Sequence, residues 1–201
     1  MKLLQKCRVI APQNLARYVV RRKIMKKLVY NSENLSEQEI DEVVTRVKVF
    51  LVNENNELLI ATSGGGCQLP GGHREEGEDL LDTVVREMRE ETGINLDKEE
   101  IKDSFFSIQH MTRNYKNSGK NRCSEMVYFH VVTNKEPNLD NLNLTEDEKK
   151  NEFAIEKVNL DNIEQYIRSF INENQKEINV IIASEILVAV KEFKAYLSSL
   201  N

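Results

Sequence analysis

Three glutamates stand close enough along the chain to act together. Glu87, Glu90 and Glu91 fall at i, i+3 and i+4, the spacing that places side chains on one face of a helix. Like charges at that spacing repel each other, and a cation held among them removes the repulsion. Three hard oxygen donors suit Mg²⁺ or Mn²⁺ better than a thiol-seeking metal. Arg86 lies one turn before Glu90 and beside Glu87, where a guanidinium can hold either carboxylate by bidentate hydrogen bonds. The plainer alternative is a glutamate-rich amphipathic surface helix, which accounts for the acids singly but not for the spacing of the whole stretch.

The elements around these acids give them a rigid support. Leu81, Val84, Val85 and Met88 repeat at i, i+3, i+4 and i+7 and form an apolar stripe about a quarter-turn from the carboxylates. The acids therefore stand at the margin of a buried seam. Asp79 is a suitable N-cap with Asp82 three residues on, and Gly93 can take the left-handed conformation that closes a helix.

From Gly72 to Ile94 the chain reads glycine, five residues, Glu78, seven residues, then Arg86-Glu87-Met88-Arg89-Glu90-Glu91-Thr92-Gly93-Ile94. This stretch resembles, without departure, the box that marks the MutT-like Nudix hydrolase family. Leu69-Pro70-Gly71-Gly72 and Glu75-Glu76-Gly77-Glu78 also look like that family. The resemblance covers about a tenth of the chain directly, and a motif of this kind is a hypothesis awaiting its structural context. It implies hydrolysis of a nucleoside diphosphate linked to another moiety. Mg²⁺ or Mn²⁺ would be held by Glu87, Glu90, Glu91 and the Gly71 carbonyl. It implies a catalytic set of Arg86, which orients the carboxylates, and a general base that is either Glu87 or an acid from a later loop. Glu152 is the first choice for that acid and Glu148 the second. Glu78 would support the loop or an outer metal. Where the family often has an aromatic residue, this chain has Cys67, which puts the base-stacking arrangement in doubt; the thiol itself reads as a small apolar filler.

A polar loop over 112–122 carries Arg113, Tyr115 and Arg122. Cations and an aromatic ring between two strands suit a phosphate grip with base stacking, and equally a solvated hairpin tip. His110 and His130 lie in or beside strands, where packing is the commoner role for histidine.

Charge is uneven. Nine basic residues and no acid precede Glu33, although the 201-residue chain has 28 Lys and Arg against 33 Asp and Glu and a net charge of −5. Such an arm suits nucleic acid, an anionic surface, or docking on an acidic body. Val9-Ile10 and Tyr18-Val19-Val20 add apolar surface, which favours docking on its own domain or a homodimer contact over nucleic acid. An organelle transit peptide is the minor reading. Cys7, Cys67 and Cys123 fit neither a zinc site nor a disulfide framework, which points to a reducing, cytoplasmic setting. No run of 18 apolar residues exists, so no membrane span is expected.

The periodicity predicts a strand near Cys7–Ile10 and helices over about 14–27 and 36–44. It then predicts strands at 46–52, 57–61, 101–111, 123–133 and 153–158. After Asp161 two helices follow, the second, over about 177–197, apolar nearly all round. The class is α/β (α+β). The resemblance makes it a Nudix fold, a mixed β-sheet sandwiched between helices, with extra N- and C-terminal helices. Residues 1–43 read as a basic extension packing on the domain or a partner subunit, and 44–201 as the hydrolase domain. The substrate is expected to be a nucleotide-type small molecule. Two rival functions stay open: a catalytically silent nucleotide-binding module, and an RNA-directed pyrophosphohydrolase using the basic N-terminus.

Overall fold

The computed structural model describes residues 26–142, 153–173 and 176–200. Among them seven strands form one mixed sheet: β1 (Lys26–Tyr30), β2 (Glu42–Val52), β3 (Glu57–Ser63), β4 (Gly66–Gln68), β5 (Phe106–Thr112), β6 (Arg122–Val132) and β7 (Ala154–Asn159). Their order is β1-β5-β6-β2-β3-β4, with β7 paired to β3. β1 runs parallel to β5 and β2 parallel to β6, and the other pairs are antiparallel. Among the described residues three helices accompany the sheet: α1 (Leu80–Thr92), α2 (Ile163–Glu173) and α3 (Glu177–Ser198).

Alternation along the strands divides the core in two. Val47, Val49 and Leu51 of β2, with Val127, Phe129 and Val131 of β6, face α1 and meet Val84 and Met88. Phe50 and Val52 point the other way, with Phe106, Ile108 and Tyr128, against α2 and α3, whose Ile163, Ile167, Ala183, Ile186, Ala189, Val190 and Phe193 fill that layer. Because both faces are covered, Val49 to Val52 is buried continuously and reads as an apolar run at its end. The mixed sheet between helices is the expected class.

Several boundaries differ from those expected. The expected short helix after Ser36 is only a 3-10 turn, Glu37–Glu39, and β2 begins at Glu42 rather than 46. The parallel partner β6 explains the longer strand: it pairs with β2 in register from Glu42↔Arg122 to Val52↔Val132, so the capping box that Ser36 and Glu39 form opens a single turn and no longer helix. Lys26 and Lys27, placed at a helix end by periodicity, belong to β1, whose backbone partner is β5. A five-residue edge strand of this kind is set by its neighbour rather than by its own composition. The strand near Cys7–Ile10 and the rest of that helix lie outside the described residues. Strand β5 begins at Phe106, since 98–100 form a 3-10 turn and Ile101 makes only an isolated bridge to Val131. α3 buries one side against the sheet and leaves Ile178 and Ile181 exposed. Among the described residues no helix is long and apolar enough to cross a membrane.

Candidate functional site

The segment from Pro70 to Arg74 runs along the first half of β2, on the edge that β3 leaves free. Val49 N–H donates to the Pro70 carbonyl and Val47 N–H to that of Gly72, each at 2.9 Å, while Arg74 N–H donates to the Thr45 carbonyl at 3.0 Å. Two glycines allow this approach. Gly71 has φ +124°, and a Cβ there would lie 2.4 Å from the Val47 carbonyl oxygen. A Cβ on Gly72 would lie 2.5 Å from Glu87 Oε1. The turn is therefore shaped to pass directly over the box helix's first carboxylate.

α1 is fixed at both ends as its sequence requires. Asp79 accepts from Asp82 N–H at 2.8 Å, and Gly93 closes the helix at φ 69°. Lys98 pairs with both Asp79 and Asp82, at 3.2 and 2.6 Å. Val84 and Met88 are fully buried, and Leu81 and Val85 are half-buried beside them.

Arg86 is the hub. Its Nε donates to Glu78 Oε1 at 2.7 Å, and one terminal nitrogen reaches Glu87 at 2.8 Å and Glu90 at 3.1 Å. The other terminal nitrogen reaches the His73 carbonyl at 2.7 Å and Glu78 Oε2 at 3.1 Å. Glu78 also accepts from Glu75 N–H and the Thr83 hydroxyl, each at 3.0 Å, and so ties the loop to the helix. The Arg86 guanidinium, followed by its other donors, pulls the Glu78 carboxyl down to about 2. Glu87 is shifted the opposite way: burial raises it above the ordinary carboxylate range, against the pull of Arg86. Glu91 turns to the loop and accepts the Gly71 N–H at 2.8 Å.

Lys48, which the sequence reading did not single out, completes the site. Its ammonium donates to the Leu69 carbonyl at 2.8 Å and the Gly71 carbonyl at 2.6 Å. A signal for it was present in the strand, where one lysine stands between Val47 and Val49, both fully buried. His73 shares this environment. Burial holds it below its ordinary value, aided by the positive charges of Arg46, Lys48 and Arg122.

The donor set fits a hard divalent ion in kind: carboxylate oxygens, one of them buried, beside a carbonyl that already draws a cation. Among the described residues no three His, Cys, Asp or Glu side chains gather as a metal-holding cluster. Arg86 engages one oxygen each of Glu87 and Glu90, and the Gly71 N–H one oxygen of Glu91, so a carboxylate can keep that partner and still offer an oxygen to an ion.

The loop cations lie in other company. Arg113 pairs with Glu33 at 3.6 Å and Glu39 at 3.3 Å. Arg122 pairs with Glu42 at 2.6 Å, and its guanidinium lies 4.0 Å from the centre of the Tyr115 ring. These contacts hold the loop to the segment over 33–42. Of the three, Arg122 is the one whose charge is felt at His73. Glu152 and Glu148 lie outside the described residues. Cys67 is buried and its thiol is pushed up to about 11 by burial, as suits a packing residue. His130 is buried with its ring edge-on to Phe193 and Tyr196. His110 stacks on Tyr30 at 4.8 Å, with Nε2 2.6 Å from Glu185.

The NUDIX domain family model matches residues 43–174, about two thirds of the chain. The chain belongs to the NUDIX family. It is 32% identical over 107 residues to the Mus musculus protein named nucleoside diphosphate-linked moiety X motif 6, covering 53% of this chain and 29% of that one. It is 40% identical over 62 residues to the Danio rerio m7GpppN-mRNA hydrolase NUDT17, covering 27% of this chain and 21% of that one. The matches thus span under a third of either relative. Among solved structures, a C. elegans Ap4A hydrolase binary complex is 16% identical with a TM-score of 0.47, covering 78% of this chain and 98% of that one. The NUDIX domain of Shewanella oneidensis NrtR complexed with ADP ribose is also 16% identical at 0.47, covering 66% and 82%.

Proposed function

We propose that this NUDIX-family chain is a metal-dependent pyrophosphohydrolase that cleaves the diphosphate linkage of a nucleoside diphosphate joined to another moiety. The observation that carries the reading is the Arg86 hub. It braces Glu78, Glu87 and Glu90 from one guanidinium, while Glu91 holds the Gly71 turn against the same helix. Glu87, Glu90, Glu91 and the Gly71 carbonyl are the groups that would hold Mg²⁺ or Mn²⁺. A divalent ion bound there would supply a water of lowered pKa and would neutralise charge on the diphosphate.

The chain's own residues do the positioning. Phosphoryl-type substitution draws its rate mainly from placement and charge stabilisation, and five hydrogen bonds from Arg86 fix the carboxylate edge before substrate arrives. Glu87, whose proton affinity burial raises, is the base candidate within the described residues, and Glu152 is the candidate beyond them. Arg122 with Tyr115 is the pair proposed to meet substrate, and Arg113 then serves to anchor their loop.

The test is a panel of oxidised nucleoside triphosphates, ADP-ribose, dinucleoside polyphosphates, nucleotide sugars and capped RNA, assayed with Mg²⁺ and with Mn²⁺. At least one should be cleaved only with metal, and Glu90→Gln and Glu91→Gln should each remove most of that activity. Wild-type turnover in both variants refutes the assignment of these carboxylates. Nucleotide binding without any hydrolysis across the panel turns the reading to a silent binding module.

A further inference from the structure

We infer that Lys48 is a positioning residue of this site: its ammonium holds the Gly71 carbonyl in place and yields that oxygen when a divalent ion takes it. The inference rests on the divalent-ion reading above.

The backbone makes Lys48 necessary. Pro70 and Gly72 turn their carbonyls toward β2 and accept its N–H groups. The carbonyls of Leu69 and Gly71 accept instead from the Lys48 ammonium, at 2.8 and 2.6 Å. The side chain is half-buried and rises from a strand whose adjoining residues are core, so its ammonium is delivered from a rigid base. The two peptides flanking Gly71 are held by opposite charges: Glu91 takes the N–H on one side and Lys48 the carbonyl on the other.

This arrangement has a consequence for ion affinity. A divalent ion on the Gly71 oxygen would meet a unit positive charge already 2.6 Å from that atom. Like charges a few ångströms apart repel appreciably even at the dielectric constant of water. Lys48 therefore opposes loading, by about tenfold in affinity if the ammonium swings partly clear. Once displaced, it remains beside the loop as a cation for a diphosphate oxygen. Its removal should move two quantities in opposite directions, which a purely structural lysine would not do.

The experiment measures Mn²⁺ binding by electron paramagnetic resonance, without substrate, in the full chain and in Lys48→Gln, Lys48→Met and Glu90→Gln. Lys48→Gln keeps a donor for one carbonyl and loses the charge; Lys48→Met keeps only the stem. Both should bind Mn²⁺ about tenfold more tightly, with a higher KM for whichever diphosphate the panel identifies, while Glu90→Gln binds it more weakly. Unchanged or weaker Mn²⁺ binding in both Lys48 variants, with Glu90→Gln impaired, overturns the role of Lys48 and leaves the ion site standing. Equal Mn²⁺ binding by wild type and Glu90→Gln removes the ion site and this inference with it. An independent measurement on the wild-type protein guards against misfolded variants. Reductive methylation of Lys48, read by mass spectrometry, should accelerate when Mg²⁺ is added, and a rate indifferent to Mg²⁺ also overturns the role.

Discussion

Replacing Arg86 with lysine tests whether the hub depends on the shape of the guanidinium or only on its charge. Arg86 makes five hydrogen bonds to four acceptor groups: Glu78, Glu87, Glu90 and the His73 carbonyl. A lysine ammonium has three donors at one point, so at least two of these bonds are lost. The side chains of Arg86, Glu78 and Glu87 are 17%, 18% and 10% exposed, which leaves little solvent to replace the missing partners. At about 1.5 kcal/mol for each charged hydrogen bond, Arg86→Lys should lose about 3 kcal/mol. For a domain of this size that lowers Tm by about 6–12 °C. The gap should depend on pH. Glu78 has a folded pKa depressed to about 2, so its contribution is fully present above the unfolded value near 4.3 and is lost as pH falls toward 2. Glu87 has a raised pKa, so its charged form weakens the fold as pH rises, and more so once Arg86 no longer steadies it. Both effects widen the gap between wild type and variant with rising pH. Thermal melts at pH 7, 5 and 3 should show the full difference at pH 7 and about half at pH 3. A variant within 2 °C of wild type at pH 7, or a gap that stays constant down to pH 3, refutes the claim that this guanidinium carries the geometry.

The two adjacent glycines should fail differently when changed to alanine. Gly71→Ala forces a side chain into φ +124° and against the Val47 carbonyl oxygen, so differential scanning calorimetry should show a Tm lower by about 10 °C or more. In Gly72→Ala the atoms nearest the new methyl are those of the movable Glu87 carboxylate, so Tm should hold within a few degrees while Mn²⁺ binding weakens. His130 provides a pH test remote from the box. Burial, helped by Lys102, lowers it to about 4, so the stability it supports is present above its unfolded value near 6.5 and is lost as pH falls toward 4. That shift corresponds to about 3 kcal/mol, and urea melts of His130→Leu should decline less than wild type between pH 7 and pH 4.5.

What the sequence could reveal of this site depended on how local each interaction is. The α1 caps, its apolar stripe, and the three glutamates with Arg86 all lie within one helix and its two ends, so fixed spacing was enough to read them. Glu78 was expected to support the loop or an outer metal, and its partners at the loop-helix joint, Glu75, Thr83 and Arg86, lie within eight residues. Lys48 is different. Its acceptors are 21 and 23 residues away, and they are backbone carbonyls, which carry no signature in the side-chain sequence. The loop cations show how much of their surroundings is non-local. Arg113, Tyr115 and Arg122 suited a phosphate grip and a solvated hairpin tip equally by composition. Yet Glu39 and Glu42, 74 and 80 residues earlier in the chain, engage the two arginines across the sheet. The parallel pairing of β2 with β6 brings those acids there, and the same pairing extends β2 back to Glu42 against the local helix signal. A single non-local fact, which strand lies beside which, thus accounts for the misplaced start of β2 and for the altered company of the loop cations. It leaves Arg122 in a definite position, tethered to Glu42 and stacked on Tyr115 while its charge is felt at His73. Among these loop cations Arg122 is thus the one whose charge reaches His73, while Arg113 ties the loop to Glu33 and Glu39.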